Sequence, residues 1–317
     1  MPYVLLISFF SCSEEPTKTD TASDEIQAVD HRETYPESDA QLILTPPDYE
    51  IPPYADKQTC WYTTYTGEDI AIVGGSFRQS DKFGHHVILM KTRLDEDDAP
   101  DGTVEDCSET GDMTDMDPFV LPSNVEKLGL THLELPEGMG NKLKSGQRIL
   151  VQSHHVNYTG DPILVNDRIE LETASVEGID NFVAPLAHTS TNLNIESGTQ
   201  TREITCTFEE DHNFLYLLGH MHEWGTSISI DYNKEDGTVE RLYDIPEWDV
   251  LYRDLPPIIN FGPDTEYGSL QVKAGESFTT ICNWDNDTDE ILHFPHEMCV
   301  ATALVYPATI STVCDVD

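Results

Sequence analysis

The chain has 317 residues, with 59 Asp and Glu against 17 Lys and Arg, giving a formal net charge of -42. A surface so acidic repels phosphate backbones, which excludes nucleic acid as a partner, and the acid excess reads as solubility outside the cell. The length suits two domains rather than one core, and 38% hydrophobic residues suffice to fill both.

Residues 1–12 read as an export signal. The apolar run from Val4 to Phe10 is too short for a mature membrane helix and ends at Ser11-Cys12, the form of a bacterial lipoprotein signal whose Cys is lipidated. Such a Cys12 would attach the protein to a membrane. No basic residue precedes the run, and Phe9 and Phe10 stand where Leu and a small residue are usual, so an ordinary secretory signal is the alternative. Residues 13–45 are rich in Glu, Asp, Thr and Ser and predict a disordered tether.

Short β-prone runs follow, among them Asp69–Val73, His86–Met90, Arg148–Gln152, Phe214–Leu218 and Ser227–Asp231, separated by turn residues such as Gly160-Asp161-Pro162. No ordinary amphipathic helix interrupts them. The pattern predicts an all-β protein of two consecutive antiparallel β-sandwiches, jelly-roll-like, over residues 46–180 and 181–317. Past Cys12 there are six cysteines, Cys60, Cys107, Cys206, Cys282, Cys299 and Cys314. An even number in an exported chain without a Cys-x-x-Cys pair predicts three structural disulfides.

The 12 histidines cluster. His85-His86, His154-His155 and His220-Met221-His222 each sit in a strand-like segment, and His293 and His296 precede Met298. Imidazole ligates zinc, copper, iron and nickel alike. Residues two apart on a strand share a face, so His220 and His222 can reach one ion, whereas adjacent His85 and His86 need a strand end or bulge to do so. The thioether of Met298 favours Cu(I). His31, His132, His188 and His212 lack partners at ligand spacing, and Asn157-Tyr158-Thr159 and Asn286-Asp287-Thr288 read as N-glycosylation acceptors.

Four segments together resemble the copper type II, ascorbate-dependent monooxygenases: Gly84-His85-His86-Val87-Ile88-Leu89, Val151-Gln152-Ser153-His154-His155-Val156-Asn157, Gly219-His220-Met221-His222-Glu223-Trp224-Gly225, and Cys282-Asn283-Trp284 followed by Glu297-Met298-Cys299. The resemblance spans roughly residues 55 to 314 and follows family order. It implies two coppers per chain. His85, His86 and His154 would hold one, with His154 preferred to His155 because it sets Asn157 in register. His220, His222 and Met298 would hold the other as the catalytic, oxygen-binding site. It further implies hydroxylation of a small organic substrate with O2, electrons from ascorbate, and disulfides Cys282–Cys299 and Cys206–Cys314, leaving Cys60 with Cys107. Leu218, Val300 and Thr302 replace the Arg, Asn and Tyr that bind a peptide carboxylate in one branch, so peptide amidation is not expected. Two rivals remain: an extracytoplasmic copper-binding or copper-buffering protein without catalysis, and a zinc hydrolase with Glu223 as base.

Overall fold

The computed structural model describes residues 27–108, 116–120, 124–127, 129–253, 255–309 and 312–315. Cys12 and the export signal lie outside them. The described residues are all-β, with two short 3-10 turns, and form two consecutive sandwiches.

The sequence makes strands because its apolar residues alternate. In Ser277–Asn286, Phe278, Thr280, Cys282, Trp284 and Asn286 point inward while their neighbours point out. The first sandwich sets a five-stranded sheet, ordered Val104–Asp106, Asp56–Thr64, Arg148–Val156, Gly84–Thr92 and Met116–Val120, over part of a 12-stranded sheet. Val87, Leu89, Ile149 and Val151 from the former pack on Ile72, Phe77, Ile169 and Leu171 from the latter. The outer face of the five-stranded sheet is covered too. Cys60, Tyr62, Met90, Met116 and Leu150 of the sheet cluster with Ala99 and Cys107 outside it, and the central strand Arg148–Val156 is buried along almost its whole length.

The second sandwich sets four strands, Gly198–Thr207, Ser277–Asn286, Gly225–Asn233 and Val239–Ile245, over Asn181–Thr189, Val300–Tyr306 and His212–His220. Its core joins Ile204, Ile228, Ile230, Phe278 and Trp284 to Leu186, Phe214, Leu217 and Ala303. The large sheet runs through both halves, because Met139–Asn141 pairs with Asn181–Val183. That pairing is parallel, as are Val29–Asp30 with Ile163–Leu164 and Leu186–Thr189 with Thr312–Asp315. These exceptions to the antiparallel expectation fall where distant stretches of chain meet, which is what parallel pairing requires.

The tether expected over residues 13–45 is corrected from residue 27 onward. Val29–Asp30 and Leu42–Leu44 add strands to the first half, Arg32 pairs with Asp48, and the Tyr35 hydroxyl donates to the Asn166 carbonyl. Strand pairing and a few side-chain bonds to distant residues order this polar stretch.

All three disulfides form: Cys60–Cys107, Cys206–Cys314 and Cys282–Cys299. They match the oxidising environment of an exported chain. Asn157 and Asn286 are not presented as glycan acceptors. Both are buried, and each amide closes a turn: Asn157 Nδ2 donates to the carbonyls of Ile51, Pro52 and Asp161, and Asn286 Nδ2 to those of Ile195 and Glu290.

Candidate metal centres

Gly84–Thr92 opens with a register shift. His154 pairs with His86 and His155 with Gly84, so His85 is the extra residue of a bulge. The bulge turns two adjacent histidines toward one neighbour: ring centroids of His85 and His86 lie 5.0 and 4.9 Å from that of His154. Gly84 makes room for the bend, since a Cβ there would meet Gln79 Cβ at 2.2 Å.

His154 is nearly buried, and its Nε2 lies 2.5 Å from Asp56 Oδ1. A carboxylate can only accept, so Nε2 carries the proton and the lone pair of the neutral ring sits on Nδ1. Burial works to raise the Asp56 carboxyl, but bonds from His154 and Arg253 outweigh it and hold the group well below the ordinary carboxylate range. His155 faces the opposite side of the strand. There Nε2 lies 3.0 Å from Asp167 Oδ1 in a fully buried pair, with Tyr49 edge-on at 5.8 Å. Strand alternation thus sends His154 to the cluster and His155 to the core.

The second cluster forms at the end of His212–His220. His220 Nε2 and His222 Nε2 are 3.1 Å apart, their rings nearly perpendicular at 86°. Met221 between them is buried in the core. His222 Nδ1 lies 3.0 Å from the His296 carbonyl oxygen, which must accept, so the neutral His222 ring carries its lone pair on Nε2, facing His220. Gly219 is needed for packing, because a Cβ there would meet Ile228 Cδ1 at 2.8 Å.

Glu297 organises the turn. It is fully buried, and its carboxylate accepts from the backbone N–H groups of His222 at 2.6 Å, Met298 at 2.8 Å and Trp224 at 3.1 Å. Burial pushes its carboxyl up, partly offset by those donors. Half-buried Met298 therefore belongs to the same bonded unit as His222, with Cys282–Cys299 anchoring the next residue. Trp248 Nε1 donates to the His222 carbonyl at 3.0 Å and lays a further loop over the cluster.

Of the remaining histidines, His132 bonds Ser76 and Glu126, His188 bonds Thr280, and His31 packs on Phe83. Glu223, the base of the zinc-hydrolase rival, is ion-paired with Arg253. Three functional candidates were missed from sequence: Asp56, Glu297 and Arg253. Asp56 and Arg253 carry no spacing signal, lying 98 residues from His154 and 30 from Glu223.

No family model and no curated protein matches the chain. Among solved structures it is similar to the major capsid protein P2 from bacteriophage PM2, at TM-score 0.38 and 11% identity, over 84% of this chain and 97% of that one. A structure described as the triple jelly roll fold and turret assembly in an archaeal virus gives TM-score 0.23 and 11% identity, covering 84% of this chain and 61% of that one. The infectious bursal disease virus Gx strain structure gives TM-score 0.18 and 9% identity over 88% and 78%. Among the described residues, moreover, no three His, Cys, Asp or Glu side chains gather as one metal-holding group. With no family model or curated protein matching, and no such ligand group among the described residues, the expected membership of the copper type II monooxygenases is withdrawn, and with it hydroxylase activity, the small-molecule substrate and O2.

Proposed function

We propose that this is a non-enzymatic, exported metal-binding protein that holds copper(I) between His220, His222 and Met298. The supporting observation is the 3.1 Å separation of the two Nε2 atoms. Two imidazole nitrogens at about 2.0–2.1 Å from one ion, subtending about 100–110°, stand about 3.1–3.4 Å apart. The pair is thus spaced as it would be around a metal, once His220 moves its Nε2 proton to Nδ1. Met298 supplies the third donor in this reading, because a thioether selects Cu(I) over harder ions. His85, His86 and His154 do not gather as one metal-holding group as they stand, so the second proposed site needs their rings to close on the ion, with His154 donating through Nδ1 while Asp56 fixes the ring. Lipidation at Cys12 would keep the protein at the cell envelope.

The test is competitive titration of the full chain with Cu(I), kept reduced by ascorbate, against a chromogenic chelator. The unaltered protein is expected to bind two equivalents, and His220→Ala/His222→Ala to retain one. Equal stoichiometry in both proteins, or no binding in either, would leave His220 and His222 as a hydrogen-bonded pair.

A further inference from the structure

The two histidine clusters are joined by one chain of charged groups. His154 Nε2 meets Asp56 Oδ1 at 2.5 Å, and Arg253 Nη2 donates to Asp56 Oδ2 at 2.7 Å. Arg253 Nη1 donates to Glu223 Oε1, one residue beyond His222. Asp56 belongs to the first half and Arg253 to the second, so the chain crosses between sandwiches. Arg253 ends the 3-10 turn Val250–Arg253 in the same loop as Trp248, which binds the His222 carbonyl.

We propose that Arg253 is a latch between the clusters, transmitting a change at one to the other through Asp56 and Glu223. A guanidinium suits this because its fork offers separate N–H groups to two carboxylates at fixed geometry, which a lysine ammonium cannot do. Exposure makes the latch adjustable rather than rigid: the Arg253 side chain is 19% exposed, while Asp56 is 50% and Glu223 39% exposed. Solvent competes for the two carboxylates, so either bond can lengthen without unfolding anything. When His154 Nδ1 carries an ion, its Nε2–H holds Asp56 more tightly. Asp56 then gives less to Arg253, and Arg253 turns toward Glu223 and the backbone carrying His222. The same sequence runs in reverse from the second cluster.

The latch rests on the copper reading only for its effect on metal binding, and the decisive measurement is made without metal. In the full chain with isotope-labelled histidine, Glu223→Gln removes a charge at the far end of the chain. It is expected to shift the His154 ring resonances. In the Arg253→Met background, the same substitution is expected to leave them in place. Arg253→Gln serves as the second background should Arg253→Met fold poorly. Equal His154 shifts with and without Arg253, or none in either, would overturn the latch. With Cu(I), Arg253→Met is expected to change the ratio of the two site affinities by about 5-fold while both sites still load. An unchanged ratio would count against the latch, whereas absence of copper binding in every protein would remove the proposed function and leave the metal-free result to decide the latch.

Discussion

Asn157 and Asn286 show how one residue can mislead as a motif and still matter. Each is followed by x-Thr, and each Oδ1 accepts from the Thr N–H and hydroxyl two residues on: 2.9 and 2.7 Å at Thr159, 3.0 and 2.7 Å at Thr288. The amide is used inside a turn, which burial decides and sequence does not display. Asn286→Ala would leave the carbonyls of Ile195 and Glu290 short of a donor and is expected to cost about 2–4 kcal/mol in urea unfolding. A loss under about 0.5 kcal/mol would show that the turn closes without it. His188 offers a pH-dependent case. Burial pushes its imidazole down to about 4, from 6.5. Above pH 6.5 neither folded nor unfolded chain carries this proton. Between 6.5 and 4 the unfolded chain takes it up and the native one does not, so stability falls as pH drops through that window. At about 1.4 kcal/mol per pH unit the full effect is about 3–4 kcal/mol. His188→Gln is therefore expected to lose less stability than the unaltered protein between pH 7 and 4, and identical pH profiles would contradict this.

At the scale of elements, alternation made the strands legible, and adjacency made the clusters ambiguous. The segment His220-Met221-His222 announces a shared face, and the structure puts Met221 in the core between the two imidazoles. His85-His86 needs an irregularity that sequence cannot locate, and the bulge supplies it by register against His154. The tether was misread because a few side chains, Arg32 and Tyr35 among them, bond to residues more distant in the chain. The last described strand, Thr312–Asp315, pairs with Leu186–Thr189 and is bound to Gly198–Thr207 by Cys206–Cys314, at a sequence separation of 108. A loop of that size constrains the unfolded chain by roughly 4–5 kcal/mol in the chain-entropy account. Cys206→Ser/Cys314→Ser is expected to lower unfolding stability by an amount of that order, read by denaturant titration. A change under about 1 kcal/mol would mean that the strand is held by its pairing alone.

For the whole molecule, composition and strand pattern made the all-β, two-sandwich architecture readable, since alternating burial is written into each strand. They did not reveal the continuous sheet through Met139–Asn141 and Asn181–Val183, nor the ionic chain through Arg253, because both depend on contacts between distant segments. The histidine motifs suggested a family that the comparisons do not return. What survives is local chemistry: imidazoles brought together in each half and a carboxylate, Glu297, that ties His222 to Met298. The most direct test of that chemistry is X-ray absorption on the Cu(I)-loaded protein in which His85, His86 and His154 are replaced by Ala, so that only the second cluster reports. Two nitrogen scatterers and one sulfur at about 2.3 Å, with the sulfur lost in Met298→Leu, is the expected spectrum. A first shell without sulfur, unchanged by Met298→Leu, would contradict the copper site proposed here.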